Sequence, residues 1–476
     1  MAEHTVEKIG GTSMSRLNEL RDTLLIGERQ GADLYGRIFV VSAFGGITNL
    51  LLEHKKTGEP GVYGQFAASD NSHGWHDALN RVSDAMIEAH SSVLEHPADI
   101  AQATDFVRTR IDGARNCLID LARVCSYGHF RLSEHMLQTR ELLSGLGEAH
   151  SAFVTVLMLQ RANVDARLVD LSGWRGEGDV SLEERIMGAM EGIDPMREIP
   201  IVTGYAQCAE GLMREFDRGY SEVTFSHLAA LTHAREAIIH KEFHLSSADP
   251  NLVGQDAVRK LGRTNYDVAD QLSNMGMEAI HPKAAKTLRQ AAVPLRITNA
   301  FEPGDPGTLI DDQPAESPNV EIVTGIDTIA LEVFEQDMVG VKGYDAAILD
   351  VLTRHDVRII SKVSNANTIT HYVDTSLQVA RRVEKDIEKL YPSARVSSRP
   401  LAMASVIGRD LNGLSCLQRG LVAIAGENLE ALGASQGPRN VDVQFIIERD
   451  ILAPVIKALH KTFIENSERT PLTKAA

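Results

Sequence analysis

Through residues 1–310, short β-branched and aliphatic runs alternate with stretches of helical period, the pattern of a parallel sheet wrapped by helices. The expected strands are Thr5 to Ile9, Arg37 to Ala43, Val164 to Val169, Ile199 to Gly204, Ala237 to Lys241 and Pro294 to Thr298. Between the first two, Leu17, Leu20, Leu24 and Leu25 share one helical face and predict a helix packed on the sheet. Over 61–143 the strand signal gives way to a long helical stretch, read as an insertion beside the sheet. The segment Glu302 to Asn319 is crowded with Pro, Gly and acids, and 311–319 is expected to be a linker. Beyond it, two stretches repeat one order of elements: a strand, a Gly-containing loop, a helix, then a loop into an alternating strand. That order predicts two small α+β modules, over 320–395 and 396–476.

Composition narrows the field. At 476 residues the chain has room for roughly three domains. With 43% hydrophobic residues it can bury large cores, which argues against disorder. The 48 Lys+Arg against 65 Asp+Glu leave a net charge of -17, with no basic block, so phosphate backbones are repelled and a nucleic-acid binder is not expected. No secretory pattern opens the chain and no 18 consecutive residues are apolar, so a cytoplasmic protein without membrane association is expected. Cys117, Cys125, Cys208 and Cys416 lack C-x-x-C spacing and read as reduced thiols. The 17 histidines are scattered without H-E-x-x-H, and no protein-held metal is expected.

Four motifs carry candidate chemistry. In VEKIGGTS, a strand bearing Lys8 runs into Gly10, Gly11, Thr12 and Ser13 at a helix start. Glycines there let backbone N–H groups approach an anion, and a lysine inside a buried strand needs an anionic partner. The bland alternative is an ordinary strand-to-helix turn with a Ser/Thr cap. VVSAFGGITNLL repeats this geometry, with Gly45, Gly46 and Thr48. Two such loops at the carboxyl ends of parallel strands would face one crevice. In ELLSGLGEAHSAF, Ser144, Gly147 and Glu148 read as the opening of an apolar helix running to Leu159, with the acid favouring its dipole. In EFDRGYSEVTFSHLAAL, Arg218, Ser221 and Glu222 bracket a Gly-containing turn, where an arginine can take a carboxylate bidentately or simply be solvated. No G-x-x-x-x-G-K-S/T loop, H-R-D or D-F-G is present.

Taken in this order, the four motifs resemble the aspartate kinases of the amino-acid kinase superfamily. ADPNLV, AIHPKA and VPLRITNAFEPGDPGTLI resemble further family segments, and the two C-terminal modules look like paired ACT regulatory domains. The fold this implies is α/β, an amino-acid-kinase-like sandwich with a mainly parallel sheet (1–310) followed by two ACT-like modules. In the family the second module is threaded into the first, which would return Ile451 to Asn466 to the first module. By the resemblance, Lys8 touches the transferring phosphoryl group, Gly10, Gly11 and Ser13 shape its loop, and Thr48, Glu148, Arg218 and Ser221 hold aspartate. Glu222 stands at the family's catalytic-motif Asp, where G-R-G-G-S-D reads Asp217, Arg218, Gly219, Tyr220, Ser221, Glu222. On the nucleotide side, a family Thr-Asp pair aligns with His240 and Lys241, with Ser246 beyond; the Arg after Asp-Pro is Asn251, and a family Lys is Glu278.

The resemblance implies that ATP with Mg²⁺ phosphorylates the β-carboxylate of L-aspartate, the first step of aspartate-family amino-acid synthesis. The D-R-G-Y-S-E variant resembles the ectoine-associated branch. Asp337, Val339 and Gly340 precede the first module's helix, where such domains take an effector amino acid, and a homodimer through the modules is expected. The competing readings are another amino-acid kinase and an amino-acid sensor with a degenerate kinase domain.

Overall fold

A computed structural model of the chain describes residues 3–55, 57–68, 74–176, 180–216, 219–277 and 279–466. The chain forms two compact units, one of residues 1–245 and 280–311, the other of 246–279 and 312–476.

The first unit is built on strands β1 (Thr5–Ile9), β2 (Arg37–Val41), β3 (Ala166–Val169), β4 (Ile199–Thr203), β5 (Glu236–Lys241), β7 (Leu295–Asn299) and β8 (Thr308–Asp311), in the spatial order β3-β4-β2-β1-β5-β7-β8. All neighbours run parallel except β7 and β8. The six strands expected from β-branched runs form at or within two residues of the expected bounds. The additional β8 comes from TLID, which the prolines and glycines before it had masked. Every residue of β2 and β4 is buried, as a sheet covered on both faces requires.

The insertion is helical: Val62–Ala67, Gly74–Val93 and Pro97–Cys125 precede the helix Met136–Arg161. In Gly74–Val93 the buried stripe is Trp75, Ala78, Leu79, Val82, Met86, His90 and Val93, at spacings of three and four. Helix Met136–Arg161 is long and apolar enough to cross a membrane by length and composition, yet 89% of its most apolar stretch is buried inside the protein. It is a core helix. Its continuity corrects one expectation: Ser144, Gly147 and Glu148 lie in its interior, so the dipole of a helix start does not act on Glu148.

The second unit carries the short β6 (Arg263–Asn265) and a six-stranded antiparallel sheet of β9 (Ile322–Phe334), β10 (Arg358–Ser364), β11 (Thr368–Asp374), β12 (Arg395–Ile407), β13 (Gly433–Gln436) and β14 (Asp442–Ile447), ordered β10-β11-β9-β12-β14-β13. β9 and β12 are 13 residues each, about twice the usual strand length, and pair from Ile322↔Ile407 to Phe334↔Arg395. Their two halves serve different cores. Ile329, Leu331 and Val333 pack with Ile348, Val351, Ile369, Val373, Val383 and Ile387. Val320 and Val323 pack instead with Val406, Val443, Phe445, Val455, Leu459 and Phe463.

A division at 395/396 therefore falls inside one continuous strand and is corrected. Residues 329–400 form one module, inserted between 320–328 and 401–466 of the other. Helix Leu452–His460 packs on the first half of β9, where Leu452 and Ile456 reach Gly325, and on β12.

Candidate active site

The candidate site lies in the first unit, at the carboxyl ends of β1, β2, β4 and β5. In the parallel register Lys8 is level with Val40 on β2 and Ile239 on β5. Side chains alternate along a strand, so Lys8 and Lys241 face the same side of the sheet. Lys8 finds its anionic partner in Glu222, on the first turn of helix Tyr220–Leu231, with Nζ 3.4 Å from Oε1. The two side chains are 13% and 14% exposed. Glu222 Oε2 accepts the backbone N–H of His281 at 2.5 Å. Burial alone would raise the Glu222 carboxyl; Lys8, Lys241 and that N–H outweigh it and hold the group below the usual range, so it stays ionised.

Glu148 is the opposite case. It projects from the interior of helix Met136–Arg161, is 2% exposed, and accepts the Ser221 hydroxyl at Oε1, 2.8 Å away. Its Oε2 is buried without a hydrogen-bond partner among the described residues. Burial pushes its carboxyl up to about 8, against the pull of Ser221 and the charge of Lys8. Two carboxylates near one lysine are thus held in different protonation states at neutral pH, which marks functional ground.

Close backbone approach assembles the site. A Cβ at Gly204, just past β4, would stand 2.9 Å from both Glu148 Oε2 and Ser221 Oγ, so any larger residue would crowd both groups. A Cβ at Gly11 would meet the Ala43 carbonyl at 2.8 Å, and one at Gly147 the Ala43 Cβ at 2.8 Å. The loops after β1 and β2 touch again where the Gly45 N–H donates to Ser15 Oγ at 2.9 Å. Thr48 sits half-buried in helix Ile47–Leu51, behind Gly46 at φ 87°. Gly10 precedes the short helix Gly11–Met14, and the buried Ser13 donates to Glu242 Oε1 at 2.6 Å.

The structure thus brings together Lys8, Gly10, Gly11, Ser13, Thr48, Glu148, Ser221, Glu222 and Lys241. It does not bring in His240. In register His240 is level with Ile9, not Lys8, and points to the opposite face. There it is buried, with Nε2 2.8 Å from Glu7 Oε2 and Nδ1 2.7 Å from Thr298 Oγ1. With both ring nitrogens engaged inside the sheet, it has none left for a nucleotide. Burial would raise Glu7, but His240 and Arg37 overcome that and hold it at about 2. Ser246 falls in the second unit, where its hydroxyl donates to the Ala248 carbonyl at 2.8 Å. Arg218, Asp217 and Glu278 lie outside the described residues.

Asp337, Val339 and Gly340 lie on the turn between β9 and helix Tyr344–Arg354. The Asp337 N–H donates to Glu335 Oε1 at 3.1 Å, Val339 is 57% exposed and Gly340 has φ 75°.

Two contributors carried no assigned role in the sequence. Gly204 read only as a strand end. His281 caps helix Pro282–Gln290 while its N–H fixes Glu222, and its one available signal was His-Pro at a helix start.

Residues 3–299 match the model of the amino acid kinase family. Over 475 residues the chain is 51% identical to aspartate kinase Ask_Ect of Stutzerimonas stutzeri (strain A1501), covering 99% of this chain and 100% of that protein. It is 23% identical to lysine-sensitive aspartokinase 3 of Escherichia coli (strain K12), over 98% of this chain and 100% of that one. Among solved structures, E. coli aspartokinase III in complex with lysine and aspartate superposes with TM-score 0.73 at 18% identity, covering 97% of this chain and 100% of that chain. The chain belongs to the amino acid kinase family. Within that family it falls among the aspartate kinases.

Proposed function

We infer that this chain transfers the γ-phosphoryl group of ATP to the β-carboxylate of L-aspartate, giving 4-phospho-L-aspartate. The observation that carries the reading is Glu148 Oε2: a buried carboxylate oxygen with no hydrogen-bond partner among the described residues, beside Ser221 and within the field of Lys8. Such an oxygen suits an ammonium group, and an α-amino acid supplies one. Arg218 would take the α-carboxylate, Thr48 would line the same pocket, and the β-carboxylate would then point toward Lys8.

The β-carboxylate, with a reference pKa near 3.9, is already ionised at neutral pH, so no general base is needed. The barrier is repulsion between anions. Lys8, held by Glu222, and the amides of the Gly10–Gly11 loop offset the charge that spreads over the phosphoryl oxygens. Lys241 adds a second cation on the same face. Magnesium brought in on the nucleotide's phosphates would supply charge neutralisation, and Glu242, which holds Ser13, is an oxygen donor at this rim that would suit a hard cation.

The same reading makes the chain a cytoplasmic homodimer joined through its α+β modules, with the Asp337–Gly340 turn as effector candidate and the ectoine-associated aspartate kinases as its branch. The D-R-G-Y-S-E variant and the 51% identity to Ask_Ect support that placement.

The test is a coupled assay of ADP release with aspartate, glutamate and no acceptor, followed by hydroxylamine trapping. Release that depends on aspartate, with a trapped acyl hydroxamate, is expected. Equal release with glutamate, or none with aspartate, would overturn the assignment.

A further inference from the structure

On the loops that follow β5 and β7, residues far apart in sequence converge. His244, Glu302 and Asp305 each present one ligand atom, and these atoms lie within 4.8 Å of one another. His244 Nε2 is 2.9 Å from Glu302 Oε2, and Nδ1 is 3.6 Å from Asp305 Oδ1. The imidazole is only 9% exposed, and its Nδ1 is buried with no hydrogen-bond partner among the described residues. A separation of 3.6 Å is too long for a proton donated to Asp305. The nitrogen is therefore aimed at a carboxylate it does not bond.

Both carboxylates are oriented from behind. Asn299 Nδ2 donates to Glu302 Oε1 at 3.0 Å, the Gly307 N–H to Asp305 Oδ1 at 2.9 Å, and the Asp305 N–H to the Glu302 carbonyl at 3.0 Å. Supporting hydrogen bonds of this kind orient metal-binding groups. Around a zinc-like ion, with bonds of about 2.0–2.2 Å, tetrahedral ligand atoms stand roughly 3.3–3.5 Å apart. The 3.6 Å between His244 Nδ1 and Asp305 Oδ1 lies close to that spacing, and one ligand atom from each of the three residues lies within 4.8 Å of the others. Glu302 is 53% exposed, which leaves an entry path and positions for water.

We propose that His244, Glu302 and Asp305 form a site for a borderline divalent cation such as zinc, cobalt or manganese, pinning the loop after β5 to the loop after β7. The imidazole distinguishes it from the nucleotide's magnesium, which prefers oxygen ligands alone. The site went unseen in sequence because its ligands come from two loops and share no short spacing.

The test uses the full chain, stripped with a chelator and titrated with cobalt(II) alone, in the absence of nucleotide and aspartate. A saturable visible absorption band at one equivalent, displaced by zinc, is expected. His244→Ala should lose the band, and Glu302→Gln should weaken binding at least tenfold, with the far-UV circular dichroism of each unchanged. If His244→Ala fails to fold, the double variant Glu302→Gln/Asp305→Asn carries the test. No saturable band in the natural chain, or a band retained in a folded variant lacking His244 or both carboxylates, would overturn the site. Because nucleotide and aspartate are absent, the outcome is independent of the phosphotransfer reading.

Discussion

Glu148 makes its protonation part of ligand binding. With its carboxyl raised to about 8 by burial, the unliganded protein holds a proton there at neutral pH, and an incoming ammonium must displace it. Aspartate should bind more tightly by about tenfold per pH unit from 6 toward 8 and then level off, with about one proton released. Calorimetry in two buffers of different ionisation enthalpy checks this. The sign for stability is opposite. Between the ordinary 4.5 and about 8 the folded chain binds more protons at this site than the unfolded chain, so stability of the unliganded protein falls as pH rises through that window. Glu148→Gln should remove that slope in denaturant titrations and raise the aspartate KM sharply. Lys8→Ala should lower kcat by about a hundred- to a thousandfold, with modest change in aspartate KM, measured at saturating ATP. Lys8 and Ser221 stood out because each lies within two residues of a glycine where a strand or helix begins or ends, whereas Glu148 stood out only through Gly147, which imitates a junction inside a continuous helix. His240 was misassigned because motif position and strand alternation disagree: one residue of register decides which face it joins, and register is set by β1 and β5 pairing across 231 positions (Thr5↔Glu236 to Ile9↔His240), outside any local pattern.

Among elements, strands were read closely because β-branched runs buried on both faces leave no competing interpretation. Helix Met136–Arg161 was misread because its Gly145 and Gly147 imitate a turn, whereas in the fold they let Ser172, Tyr205 and Ala43 approach its backbone. Gly204→Ala tests the same principle at the site. The added methyl would crowd Glu148 Oε2 and both Cβ and Oγ of Ser221, so aspartate KM should rise at least tenfold and the thermal midpoint should fall by a few degrees. A second link joins elements of the second unit. His460, at the end of helix Leu452–His460, meets Ser247 Oγ at Nε2 (2.9 Å) and Glu465 Oε1 at Nδ1 (2.9 Å), wholly buried. His460→Ala leaves Ser247 without that partner, and the expected loss is about 1–3 kcal/mol in urea unfolding.

For the whole molecule, a linear reading of domains met a physical limit, since residues 246–279 belong to the second unit although first-unit sequence flanks them. Their anchorage is apolar: Leu252 and Val253 pack against the core that contains Val455 and Leu459. A chain truncated after Asp311 should therefore expose that surface and be recovered as aggregate, whereas cutting at a true linker would leave a soluble enzyme; size-exclusion chromatography decides. Sedimentation over a range of concentrations tests the proposed homodimer, and a mass fixed at the monomer value would refute it.

The 13-residue pairing of β9 with β12 has a mechanical corollary. Two modules that own the same pair of backbones have no seam at which to part, so neither can fray without loosening the other's ladder. Heat should melt them together in one calorimetric peak. Amide protons at Ile326 and Leu331, on opposite halves of one strand, should exchange with deuterium on a common clock.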